Sequence, residues 1–133
     1  MSSLTSVTFA TVSTLSSIGE QAFAYVAGLS SITIPASVKS IGKAAFGSDG
    51  TSLLASVIFE AGSQLKSIED QVFYGVVILT SIIIPAGVKS IGENAFANAT
   101  SLDNVYIPRT NKLLLKTGTQ SFYGRNVNVI YTE

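Results

Sequence analysis

Two apolar rhythms alternate along the chain and return in the same order. The first is L-x-x-I-x-I, read at Leu29–Ile34 (LSSITI) and Leu79–Ile84 (LTSIII), with weaker copies LTSVTF from Leu4, LASVIF from Leu54 and LDNVYI from Leu102. Its last three positions alternate inward and outward, which predicts a short strand with one buried face. Ile32 and Ile34, Val57 and Phe59, and Ile82 and Ile84 are expected to point into the core. Pro35, Pro85 and Pro108 are expected to end their strands, because proline has no N–H for a ladder; Ala10 and Glu60 take that position in the other copies. The second rhythm is V-x-x-I-G-x-x-A-F, as in Val38–Phe46 and Val88–Phe96. Apolar positions three and four apart predict a turn followed by a short helical segment, with Gly42 and Gly92 supplying a tight corner. Glu69 stands in place of that glycine in the third copy.

The recurrence is an internal repeat. Thirteen of eighteen positions are identical between Leu29–Phe46 and Leu79–Phe96. Aligned on the leading leucines, the steps are 25, 25, 25 and 23 residues; aligned on Phe23, Phe46, Phe73, Phe96 and Phe122 they are 23, 27, 23 and 26. A period in the twenties predicts a solenoid in which each unit covers the apolar flat sides of its neighbours. The phenylalanine is expected to close the far side of each coil against its equivalents above and below. The last unit degenerates: after Ile107-Pro108 only Phe122 keeps register, and NVNVIYT (126–132) reads as a final strand with Val127 and Ile130 inward. Asn, Arg and Lys enrichment there predicts a C-terminal cap, whereas the N-terminal end has no comparable polar closure and leaves an edge open to pairing.

The run L-x-x-I-x-I-P-x-x-V-x-x-I-G-x-x-A-F, matched almost position for position at Leu29–Phe46 and Leu79–Phe96, resembles the BspA-like (treponemal-type) leucine-rich repeat, over about residues 4–108. The resemblance implies an α/β solenoid: a leucine-rich repeat arc with a concave parallel β-sheet and about five repeats of 23–27 residues. On this reading residues 1–133 form a single domain, with repeats starting near 4, 29, 54, 79 and 102 and a degenerate last repeat and cap over 109–133. It also implies a surface or secreted adhesin-type module that binds a host or matrix protein. One departure is cysteine. The class commonly carries it three residues after the phenylalanine, where this chain has Val26, Asp49, Val76, Ala99 and Arg125. Val and Ala suit the same small buried site; Asp49 does not, and sits in GSDGTSL, where two extra residues loop out.

Composition narrows the function. Eight basic and eight acidic residues cancel, so there is no basic footprint for nucleic acid and no polybasic signal for an anionic membrane. With 47% apolar and 12% charged residues, disorder is not expected. No apolar run approaches the roughly 20 residues that span a bilayer. Met1-Ser2-Ser3 leads straight into a repeat without a secretory signal, and the chain is read as a piece of something longer, its compartment left open. Without His or Cys, the familiar triads and dyads are excluded, and metal sites lose their commonest soft ligands. No enzyme and no cofactor are expected.

The candidate site is the concave face. Outward strand positions form two columns: Ser6, Ser31, Ser56, Ser81 and Asn104, and Thr8, Thr33, Ile58, Ile83 and Tyr106. Ser31, Thr33, Ser56, Ile58, Ser81, Ile83, Asn104 and Tyr106 are taken as partner-binding, the second column turning apolar toward the C-terminal half; plain β-propensity explains the same residues. The rival reading is an engineered or truncated scaffold that self-associates through its uncapped N-terminal end. Other columns have plainer readings. Glu20, Asp70 and Glu93 share one repeat position, with Lys43 in the second unit, and form a solvated face; no calcium-loop spacing accompanies them. Lys39, Lys66 and Lys89 form a column of solvated, edge-protecting charges. TGTQ (117–120) lacks the ending of a phosphate loop, and Asn98-Ala99-Thr100 is a glycosylation sequon of the kind that arises by chance in a Ser/Thr-rich chain.

Overall fold

A computed structural model describes residues 4–10, 12–108 and 127–132. The chain winds into a solenoid of parallel strands. Four short strands follow the first rhythm: β2 (Ser31–Ile34), β4 (Ser56–Phe59), β6 (Ser81–Ile83) and β8 (Asn104–Pro108). Four two-residue strands fall at the Ser-Ile of the second rhythm: β1 (Ser17–Ile18), β3 (Ser40–Ile41), β5 (Ser67–Ile68) and β7 (Ser90–Ile91). β9 (Asn128–Thr132) closes the series beside β8. Every pairing is parallel: β1 with β3, β2 with β4, β5 with β7, and β6 with β8 and β9 in that order.

The inward residues are those the alternation assigns. Ile32, Ile34, Val57, Ile82, Ile84, Val105 and Ile107 are buried in one core with Leu29, Leu54, Leu79 and Leu102, and Phe59 packs half-buried against it. Leu4–Ala10 keeps the alternation without a strand: Val7 and Phe9 pack against the core while Ser6 and Thr8 are exposed. The phenylalanines form a continuous stack. Phe23, Phe46, Phe73 and Phe96 lie at centroid separations of 5.4, 5.6 and 5.4 Å, with planes within 13° of parallel. Val76 and Ala99 are fully buried three residues after their phenylalanines, Val26 packs half-buried at the same position, and Asp49 is exposed on its loop.

The expected helical segment is not found: the described residues contain no helix, and the fold is a β-solenoid rather than α/β. Hydrogen bonding gives the reason. Around each phenylalanine, alternate N–H groups take different partners. In the first coil Ala22, Ala24 and Val26 donate three residues back, to Gly19, Gln21 and Phe23, while Gln21, Phe23 and Tyr25 donate across to Lys43, Ala45 and Gly47 of the next coil. The cross-coil set recurs from Ala44, Phe46 and Ser48 to Asp70, Val72 and Tyr74, and from Gln71, Phe73 and Gly75 to Glu93, Ala95 and Ala97. A helix would turn all of these donors inward. The alternation requires a left-handed residue two before each phenylalanine: Gln21, Ala44, Gln71 and Asn94 have φ between 57° and 61°. Inter-coil bonds and ring stacking hold these residues against a preference of about 1–2 kcal/mol each.

Gly42 and Gly92 do not make the corner by positive φ. They permit close approach. A Cβ on Gly42 would lie 2.5 Å from the Glu20 nitrogen, and one on Gly92 would lie 2.6 Å from the Asp70 nitrogen. These two glycines follow β3 and β7, the strands that pair with the coil before them; Glu69 follows β5, which does not pair with β3. The two-coil rhythm of the sequence is thus a two-coil rhythm of pairing. A second correction concerns the last strand. Val129 and Tyr131 pack on the core, whereas Ile130 pairs in register with Tyr106 and points outward, 38% exposed. Val127 packs inward as expected. Of the expected degenerate repeat and cap over 109–133, residues 109–126, with Phe122 in register, TGTQ and Arg125, lie outside the described residues.

Candidate binding face

The strand ladder brings the expected columns together. Ser31 pairs with Ser56, Thr33 with Ile58, Ser81 with Asn104 and Ile83 with Tyr106. Ser31, Thr33 and Ser81 are exposed, and Ser56, Asn104 and Tyr106 are half-buried. Ile58 and Ile83 expose 53% and 66% of their surface. The alternation forces this: the flanking Val57, Ile82 and Ile84 must face the core, so residues between them face solvent. β9 extends both columns by one step. Asn128 Nδ2 donates to Asn104 Oδ1 at 3.2 Å, and Ile130 follows Tyr106. Sequence reasoning took Ile130 as inward; the register shows a step of 24 residues, which makes Val129 and Tyr131 the counterparts of Val105 and Ile107.

A groove of about 380 Å³ opens beside this row, where β4 and β6 pack without pairing. Ile58, Ile83 and the Phe59–Ser63 turn line it, with Pro85, Ala86 and Pro108 on the far side. One missing rung lies at its edge. Glu60 N–H donates to Ile34 across the second and third coils at 3.1 Å, and Pro85, one coil on, has no N–H to repeat the bond to Phe59. The Glu60 carboxylate is turned to the backbone as well, accepting from Ala36 N–H at 2.8 Å. The groove is therefore apolar at its base, without a free charge aimed into it from Glu60.

The charged columns lie apart from this face. Lys39, Lys66 and Lys89 are exposed and stacked through their backbones, Lys89 N–H to Lys66 at 2.8 Å and Lys66 N–H to Lys39 at 3.3 Å. In the acidic column, Asp70 Oδ1 accepts from Glu93 N–H at 2.9 Å and so ties the third coil to the fourth. Asn98 donates its side-chain amide to the Tyr74 hydroxyl at 2.9 Å. Among the described residues no three carboxylates gather in a metal-holding cluster, and no helix is long and apolar enough to cross a membrane.

With this geometry the comparisons agree. BspA-type leucine-rich repeats match residues 1–128 in six copies, where the leucine spacing counts five, and the chain belongs to that family. It is similar to a leucine-rich cell surface protein of Faecalibacterium prausnitzii A2-165, at 26% identity and a TM-score of 0.74 over 97% of this chain. It is also similar to a leucine-rich repeat protein of T. pallidum (27% identity, TM-score 0.64, 89% of this chain) and to the pneumococcal vaccine antigen PcpA (36% identity, TM-score 0.64, 74% of this chain). The chain spans 32%, 46% and 25% of those three proteins. Among curated proteins, none matches it.

Proposed function

We infer that the chain is a non-enzymatic protein-interaction module, exposed at a cell surface or secreted, that seats a host or matrix protein on the open face of its strand ladder. The observation that carries this is the outward row Ile58, Ile83, Tyr106 and Ile130, the last three paired in register, beside a groove of about 380 Å³ where β4 and β6 part. A contiguous apolar row next to small polar residues, Ser31, Ser56 and Ser81, gives a partner hydrophobic contact together with room to approach. Thr33 and Asn104 then lie at the polar rim. The surface setting is supported by the likeness to a leucine-rich cell surface protein. The test is binding to a panel of immobilised matrix proteins by the wild type and by an Ile58→Lys/Ile83→Lys double variant. Both sites are exposed, so folding should change by about 0.5 kcal/mol or less per site. We expect wild-type binding that the double variant weakens at least about tenfold. Equal binding by the two would remove the site, and no wild-type binding to any matrix protein would remove the partner class.

A second reading is favoured by the first coil. In the next three coils, three carbonyls around each phenylalanine accept N–H groups from the coil before; the equivalent carbonyls of Glu20, Ala22 and Ala24 accept none among the described residues. Gly19, the counterpart of Gly42, has nothing within 4 Å of where a Cβ would lie. A row of acceptors can only be met by a row of donors, so a second copy would join head to tail and not head to head. Light scattering across a concentration series tests this: a ladder of masses supports it, and a constant mass near 13.9 kDa refutes it.

A further inference from the structure

The turn side of the solenoid carries two hollows that the strand-face reading does not use. One, of about 270 Å³, is lined by Gln21, Tyr25, Ser48, Gln71 and Tyr74; the other, of about 290 Å³, shares Tyr25, Ser48 and Tyr74 and adds Asn98. Sharing three residues, they form one shallow trough across the coils. Its composition is distinct from the rest of the molecule. Two tyrosines meet three carboxamides and a serine, and Asp49 is the one charged residue at its edge. That carboxylate is already engaged with Thr51, whose hydroxyl donates to Oδ1 at 2.7 Å.

Ser48 supplies an independent observation. It is 5% exposed, lines both hollows, and its hydroxyl has no hydrogen-bond partner. A buried hydroxyl left without a partner is a net cost to folding. Its backbone is fixed, with the N–H donated to Tyr74 at 2.8 Å and the carbonyl pressed against Gly75, where a Cβ would collide. Only the side chain is left to find a partner. Tyr25, meanwhile, holds a left-handed backbone, φ 61°, that leaves its side chain 62% exposed at the rim. Left-handed conformation is uncommon for an aromatic residue and is held here by the cross-coil bond from Tyr25 N–H to Gly47.

We propose that this trough is a binding site for a neutral oligosaccharide. A pyranose ring has an apolar face of C–H groups and a rim of hydroxyls. The Tyr25 and Tyr74 rings offer flat apolar surface at low conformational cost. Carboxamides carry a donor and an acceptor side by side, which matches two neighbouring hydroxyls, and Gln21 and Gln71 repeat that pair at equivalent places in coils one and three. The Ser48 hydroxyl, closed off from solvent in the free chain, can gain from a bound sugar the partner that the fold denies it by turning about χ1 toward the trough. The trough lining has no Lys or Arg, and its one charge is the Asp49 carboxylate, which argues against phosphate, nucleotide or an acidic glycan. The site shares no residue with the strand face, so either can fail without the other.

The experiment is titration of the isotope-labelled chain with oligosaccharides of cellulose, chitin and starch, each to about 10 mM, followed by amide chemical shifts. At least one of the three is expected to move the signals of Tyr25, Ser48 and Tyr74 together with the side-chain amides of Gln21, Gln71 and Asn98. Tyr25→Ala is expected to raise the dissociation constant at least about tenfold. Ser48→Ala is expected to weaken binding while raising the melting temperature, a pairing that a purely structural serine would not give. The Ile58→Lys/Ile83→Lys variant should bind the sugar as the wild type does. Shifts confined to other residues, binding unchanged in both Tyr25→Ala and Ser48→Ala, or no shift with any of the three sugars would each overturn the proposal.

Discussion

Replacing Phe73 by alanine tests the internal logic of the solenoid most directly. Phe73 is fully buried and stacked on both sides, 5.6 Å from Phe46 and 5.4 Å from Phe96. Burial and the loss of both ring contacts point the same way. Buried Phe→Ala changes cost about 3–5 kcal/mol, and the cost depends on how far the site can collapse. Here it cannot collapse far. The Phe73 N–H is bonded to Ala95 at 2.8 Å and the flanking turns are bonded in both directions, so the coil spacing is set by backbone and not by the ring. The cost should therefore lie at the upper end, about 4–5 kcal/mol. Phe23 is the contrast. It is half-buried, stacks on Phe46 alone, and belongs to the end coil. Its truncation should cost about half as much, roughly 2 kcal/mol. At the usual 0.05–0.15 kcal/mol per residue, 133 residues give about 7–20 kcal/mol in total, so both variants should remain folded. Urea unfolding at equilibrium, with the slope checked for constancy, measures both costs. Equal losses for Phe73→Ala and Phe23→Ala would refute the argument, because they would mean that position within the stack does not matter.

The remaining predictions use the same backbone. Gly92→Ala should destabilise by about 2 kcal/mol or more, since its Cβ would press on the Asp70 backbone, while Gly19→Ala meets open space and should be neutral or gain up to about 1 kcal/mol; thermal melts of the pair decide it. Ala44→Gly should stabilise by about 1 kcal/mol, since φ at Ala44 is 57°, and a loss of stability in chemical denaturation would contradict the left-handed assignment.

Much of the fold was legible in the sequence, though unevenly. The strand columns could be read because a period of two leaves no freedom: once Ile82 and Ile84 are inward, Ile83 must be outward. The phenylalanine stack followed from a residue that recurs once per coil and needs a flat neighbour. The turn was misread because apolar spacing of three and four is shared by a helix and by successive left-handed turns. The spacing reports which residues face the core, not where their N–H groups go. No signal marks the turn residues as left-handed either, since Gln21, Ala44, Gln71 and Asn94 share a position but no chemistry. Ile130 was misplaced because no repeat follows it to fix the phase, and pairing with Tyr106 sets the phase instead.

The sequence by itself determined that the chain is a solenoid of the BspA type, which residues fill its core and which columns line its strand face. Those properties depend on periodicity, and periodicity is written in one dimension. Only the tertiary structure decided that the coils are strands and turns without helix, that β4 and β6 part to open a groove, and that Tyr25, Ser48 and Tyr74 meet on the turn side. Each of those depends on a bond made or missed between neighbouring coils, across 23 to 27 residues of chain, and nothing local to either residue records it.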